Sequence, residues 1–213
     1  MLLTDHYHRA TVLPVTPPTD RMHAAERRES ILAAAVEEIA TAGFGGATTA
    51  GIAKRAGISQ PYVFRFFATK KELALAVLDR SMARMVRDWE NATPLPGETR
   101  LETLGRTYVE ALPERRPELM VHLHAYASAD DPDIAAAMRH HLARIYRYVA
   151  LQAERDGVDE PRRAATEFLA RGFLINAAMA IGLESDLSTE EWAAICGKQA
   201  VARIEDRLEQ LAS

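Results

Sequence analysis

"TTAGIAKRAGISQPYVFRFFATKKEL", residues Thr48 to Leu73, contains a short helical pattern, a glycine, a second short helical pattern and three closely spaced rings, Tyr62, Phe64 and Phe66. Thr48 is a good N-cap for one helix, which Gly57 stops. Ser59 is the N-cap of the next, with Pro61 in its first turn, where a missing N–H is harmless. Helix, glycine turn, helix is the helix-turn-helix plan. Two helices crossing closely need a small residue at the contact, here Ala53, and four residues later a turn conformation that glycine tolerates best, here Gly57. Ile52, Ala56, Ile58, Val63 and Phe66 stand where apolar side chains must pin the unit from below. Steps of 100° around the second helix, taken to near Phe67, put Val63, Phe66 and Phe67 inside. Pro61 and Arg65 then point outward, with Tyr62 and Phe64 on the flanks.

Charge supports a contact surface here. The chain is acidic, with a formal net charge of -4, yet no acidic side chain lies between Glu38 and Glu72, while Lys54, Arg55, Arg65, Lys70 and Lys71 all do. From Arg21 to Thr93 there are 11 Lys and Arg against 8 Asp and Glu; from Pro94 onward there are 14 against 20, so positive potential is confined to the first half. The partner this implies is double-stranded DNA. The first turn of a recognition helix reaches base edges, so Gln60 is placed to pair with adenine, Arg65 with guanine, and the Pro61 ring to meet a thymine methyl. Thr48, Thr49, Tyr62 and Lys70 are the candidate phosphate contacts, joined by the free N–H groups at the starts of the second and fourth helices.

Working outward, the chain reads as all-α with about nine helices. The first runs from Met22 to Ala42 and stops at Gly43; the fourth follows Thr69 and continues to about Asn91. "NATPLPGE" then reads as a linker, and five more helices follow over about 98–112, 117–129, 133–156, 161–184 and 189–212. Residues 1–20, with Pro14, Pro17 and Pro18, read as a flexible arm whose only firm cation is Arg9. Residues 21–68 form the helix-turn-helix domain, and 69–213 an effector-binding and dimerisation domain entered through the fourth helix. The single cysteine, Cys196, allows no intramolecular disulfide, and "MLLTDHYHRATVL" is no secretory signal, so a cytoplasmic setting is expected. The longest apolar run, Gly172 to Leu183, is 12 residues against the roughly 20 that span a bilayer, so it reads as a buried helix or an interface and no membrane partner is expected.

Residues Arg27 to Leu73 resemble the DNA-binding domain of TetR-family transcriptional regulators. The resemblance rests on Gly43-Phe44 after the first helix, Ile52-Ala53, Ala56-Gly57-Ile58-Ser59, an aromatic at Phe64, Phe67 and Lys70. Two positions depart from the family pattern: tyrosine is usual where Phe64 stands, and a small residue where Tyr62 stands. The hydroxyl missing at Phe64 is therefore assigned to its neighbour Tyr62. The resemblance implies a homodimer that binds a palindromic operator, as a repressor, and releases it when a small-molecule effector enters the C-terminal domain. No cofactor is implied. Apolar faces on the last two helices suit such a dimer: Phe168, Gly172, Ile175 and Met179 on one, and Trp192, Ile195, Gln199 and Ala202 on the other, which continues to Ile204 and Leu208.

An effector cavity would lie among helices four to eight, with Met85, Trp89, Tyr108, Met120, His124, Tyr126, Met138 and Phe173 as candidate lining. The alternative reading is a small helical metal-dependent enzyme built on His122, His124, His140 and His141. Adjacent or alternate helical positions point apart, however, so neither histidine pair chelates from one face, and no His-Glu-x-x-His, phosphate loop or dinucleotide fingerprint occurs. The expectation is a regulator, not an enzyme.

Overall fold

The computed structural model describes residues 18–197. Within them the chain forms nine α-helices, two single turns of 3-10 helix and no strand. The helices are α1 (Pro18–Gly46), α2 (Thr49–Ala56), α3 (Gln60–Val63), α4 (Lys70–Asn91), α5 (Arg100–Ala111), α6 (Arg116–Ala127), α7 (Pro132–Arg155), α8 (Pro161–Ile181) and α9 (Thr189–Cys196). α1 begins inside the segment expected to be an arm, and it kinks at Gly43, whose φ of 68° ends the regular helix next to the predicted stop at Ala42.

Most boundaries are set by capping. Thr48, Thr69, Thr99, Asp131 and Ser188 each accept a backbone N–H in the first turn of the helix that follows, filling orphan donors that would otherwise go unpaired. α3 is shorter than expected: it ends at Val63 and the chain continues in tighter i→i+3 turns, Arg65 N–H to Tyr62 O and Phe66 N–H to Val63 O. Ser59 occupies the cap position but makes no side-chain bond there.

One apolar core runs through both halves. Ile31, Ala35 and Ile39 of α1 meet Ile52 and Ala53 of α2, Val63, Phe67 and then Leu73, Val77 and Leu78 of α4, and the same cluster continues to Trp89, Val121, Ile145 and Val149. α6 lies along α1, and α4 touches α1, α5 and α7, so the helix-turn-helix unit is seated on the rest of the chain without a spacer. Asn91 to Glu98, read as a linker, falls almost wholly in a structured turn between α4 and α5. Arg106 donates to Thr93 O at 3.1 Å and to both oxygens of Glu98, at 2.8 and 3.0 Å, and Glu98 also accepts from Leu95 N. Among the described residues α8 is long and apolar enough to cross a bilayer by length and composition alone. In the fold it packs along α7 and against α6 and α9.

Candidate nucleic-acid interface and cavity

The turn between α2 and α3 follows the plan read from the sequence. Gly57 sits at φ 66°, ψ 33°, a left-handed conformation that lets its own N–H and that of Ile58 return to the end of α2, at Lys54 and Ala53. Ala53 is buried at the crossing, with Ile52 beside it. A residue the sequence did not flag, Glu38 on α1, organises the start of α2: it pairs with Arg55 at 2.8 Å and accepts from Thr48 N at 3.5 Å. Its carboxylate lies across Gly51, where a Cβ would come within 2.0 Å, so a side chain there would displace the carboxylate from Arg55 and Thr48.

The outer surface is the predicted ridge, with one change. Pro61, Phe64 and Arg65 are exposed, Phe64 at 44%, while Val63 and Phe67 are buried. Phe66 is only half-buried, because the i→i+3 turns after Val63 rotate it away from a strict 100° position. It meets the Tyr62 ring edge-on at 5.4 Å, and the Arg65 guanidinium lies over the Tyr62 ring at 5.3 Å. Gln60 donates from Nε2 to Thr49 Oγ1 at 2.7 Å, which ties α3 to α2 and leaves its Oε1 for an outside donor. The cationic island is smaller than the sequence suggests. Arg55 is paired with Glu38, which holds that carboxyl below its usual range, and Lys71 reaches Asp131 and Asp133 at 3.0 and 2.9 Å at the start of α7. Lys54, Arg65 and Lys70 remain for an external anion; Lys70 meanwhile donates to Gly45 O at 3.0 Å.

Behind this unit a cavity of about 460 Å³ opens among α4, α5, α6, α7 and α8. Of the candidate lining, Met85, Trp89, Tyr108, Tyr126, Met138 and Phe173 face it. Met120 and His124 do not: Met120 packs against the second apolar cluster, around Leu119 and Ile175, and the His124 ring lies on α1, 3.4 Å from where a Gly43 Cβ would be, with Nε2 3.2 Å from Ala40 O. His122, Leu142, Ile145, Phe168, Leu169 and Asn176 are also in the wall, with Met82, Thr166, Ala170 and Gly172, and were not singled out for it. Trp89 is fixed by its N–H to Leu104 O at 3.0 Å and by ring contacts with Tyr148 and Phe168.

The family model for bacterial regulatory proteins of the tetR family matches residues 31–77, the span from the buried face of α1 to the first turns of α4. This segment of the chain is similar to the DNA-binding domain of the tetR family. The activator FasR of Mycolicibacterium smegmatis, described as an HTH-type transcriptional activator, is 40% identical over 67 residues, 32% of this chain and 31% of that protein, so the likeness spans about a third of the relative's length. Two solved structures share the fold over nearly their whole length. A transcriptional regulator from Rhodococcus sp. Rha1 has a TM-score of 0.66 at 23% identity, covering 83% of this chain and 95% of that one. A putative regulator from Saccharomonospora viridis, solved in complex with choline, has a TM-score of 0.63 at 21% identity, covering 87% and 96%.

The match does not favour the enzyme alternative. The four histidines of the alternative reading also make separate contacts. His122 bonds Ser81 at 2.9 Å, His124 faces Ala40, His141 pairs with Asp79 at 2.7 Å, and His140 is exposed beside it. Among the described residues no three His, Cys, Asp or Glu converge. Burial pushes the His122 ring down to about 4, with His141 a second cause, and pushes the Cys196 thiol up to about 12.

The face of α8 expected to meet a partner is turned inward. Ile175 is 3% exposed within the second cluster, Met179 packs against the same cluster, and Phe168 packs on Trp89 and walls the cavity with Gly172. The apolar stripe left open is Phe173, Leu174 and Ile181, at 51%, 51% and 78% exposure. α8 carries small or apolar residues all round, so counting large side chains selects the face that its own chain covers. Trp192 and Ile195 of α9 are half-buried against the second cluster; Gln199, Ala202, Ile204 and Leu208 lie outside the described residues, as does Arg9.

Proposed function

We propose that the chain is a ligand-responsive repressor that acts as a homodimer on a palindromic operator, in the cytoplasm where that DNA lies. The observation that carries the reading is the exposed ridge of Pro61, Phe64 and Arg65 beside Gln60, on a helix-turn-helix seated directly on a domain with a large cavity. α3 enters the major groove, Gln60 and Arg65 read bases, and Thr48, Thr49, Tyr62 and Lys70 hold phosphates. Phe64 has no hydroxyl, so the hydroxyl of Tyr62, whose ring touches Phe66 and Arg65, supplies that contact.

The dimer is supported by the open stripe on α8, because a monomer gains nothing by leaving Leu174 and Ile181 in water. A small-molecule effector is supported by the cavity and by the choline complex of a similarly folded regulator. Effector binding favours a state whose two recognition helices no longer match half-sites about 34 to 36 Å apart, or a multiple of that. Selection of bound duplexes from random DNA tests the reading. An enriched inverted repeat is expected, and enrichment of a single unrepeated site, or of none, would overturn it.

A further inference from the structure

The cavity is notable for its chemistry. Among the side chains that line it there is no Asp, Glu, Lys or Arg. The rim is apolar as well: Tyr126, Leu142 and Phe173 are three of the large hydrophobic side chains that this chain leaves exposed, and Tyr126 meets Phe173 edge-on at 5.5 Å. An ion entering such a space gives up its hydration with no counter-charge to replace it, and that cost rises steeply with burial.

The polar groups in the wall can be assigned one hydrogen at a time. The Thr166 hydroxyl donates to Arg162 O at 3.0 Å, within its own helix. The Tyr108 hydroxyl, held protonated because burial pushes it up to about 12, donates to Asn176 Oδ1. With Ser81 Oγ donating to Leu78 O at 3.0 Å, its 2.9 Å contact with His122 Nε2 is made by an Nε2–H, the tautomer we assign here. Three groups are left without a protein partner among the described residues: the Asn176 Nδ2 amide, a donor, His122 Nδ1, an acceptor, and, at the exposed rim, the Tyr126 hydroxyl.

We propose that the effector of this cavity is an uncharged, mainly apolar molecule whose carbonyl or hydroxyl oxygen accepts from Asn176 Nδ2, and whose hydroxyl, where it has one, donates to His122 Nδ1. The proposal rests on the reading of the chain as a ligand-responsive regulator. A volume near 460 Å³ falls within the range of pockets for drug-sized molecules. The aromatic walls by themselves would also suit a quaternary ammonium group, through cation–π attraction, so a cation belongs in the test.

The test uses three probes of matched chain length, 2-decanone, decanoate and decyltrimethylammonium, each below its micellar concentration. Binding is followed by fluorescence of Trp89 in the full-length Trp192→Phe chain and by calorimetry on the unaltered protein. The ketone is expected to bind at least tenfold more tightly than either ion, and Asn176→Leu to weaken the ketone about fivefold with little change for the ions. Equal or tighter binding of decanoate or of the ammonium probe would overturn the assignment of ligand class and leave a ligand-responsive regulator standing. No binding of any probe would overturn it too. In both cases retention of a duplex selected from random DNA reports separately whether the regulatory reading survives. Ketone binding that leaves the duplex bound would uphold the cavity's chemistry and overturn effector release.

Discussion

At the scale of single residues, the base-reading and phosphate-holding roles predict different failures. Gln60→Ala removes an amide that Thr49 holds at 2.7 Å on the first turn of α3, and should change which bases are enriched at one position of each half-site, with up to about 1 to 3 kcal/mol of discrimination lost. Lys70→Ala should weaken all sequences alike and reduce the slope of log affinity against log salt by about 1. An unchanged base profile in the first variant, or a sequence-dependent loss in the second, would reverse the assignments. His122 gives a pH prediction. Its folded value near 4 lies below the free value of 6.5, so the ring is neutral in both states above pH 6.5. Below that the unfolded chain takes up a proton that the folded chain refuses, and stability falls by about 1.4 kcal/mol per pH unit until pH 4, on the order of 3 kcal/mol in all. Melting curves of the natural chain and His122→Gln should therefore converge between pH 7 and 4.5; parallel curves would show that the ring is not held neutral.

At the scale of elements, the buried pair Glu98–Arg106 closes the α4–α5 turn. Arg106→Met leaves a carboxylate almost out of solvent, which should cost about 3 to 5 kcal/mol, read from the urea midpoint. The Arg106 guanidinium, helped by Leu95 N and Thr103, holds Glu98 at about 2, below its usual 4.5, so its contribution is present above pH 4.5 and is lost as pH falls toward 2. In Arg106→Met acid unfolding should begin at higher pH, and adding Glu98→Gln should recover part of the loss. This loop also shows what the sequence could and could not tell. Caps at Thr48, Thr69 and Ser188 and the glycine turn at Gly57 are local, so the helices and the helix-turn-helix were legible. Pro94, Pro96 and Gly97 looked like a linker because their anchor, Arg106, lies on the next helix. Lys71 looked free because Asp131 and Asp133 are some sixty residues away, and Arg55 because Glu38 lies one helix earlier. The end of α3 was missed because nothing local distinguishes an α-helical turn from the tighter turns that seat Phe67. Six of the eight cavity candidates, chosen for size and ring content, do line it. Asn176 and His122 were not among those candidates, His122 having entered only as a possible metal ligand, since their value comes from hydrogen bonds left over after Tyr108 and Ser81 are satisfied.

At the scale of the whole molecule, the three parts share one frame. α6 carries His122 on the cavity wall and, two residues on, His124 against the end of α1, so the cavity and the helix-turn-helix are joined by a single helix. α8 likewise joins cavity to assembly: Phe168, Gly172 and Asn176 line the cavity, while Leu174 and Ile181 face out. A charge on that outer face should therefore separate assembly from folding. In Leu174→Glu/Ile181→Glu both side chains are already exposed, so the melting temperature of the monomer should change little, while a dimer that buries them would lose its apolar centre. Sedimentation should show the mass halving from about twice 23.6 kDa to 23.6 kDa at micromolar concentration. Affinity for a duplex with both half-sites should fall toward that for a single half-site, because each recognition helix then binds without the advantage of a tethered second one. A dimer that persists with both glutamates in place would move the interface to another surface of the chain, and the inward-facing Ile175 could not supply it without unpacking the second cluster.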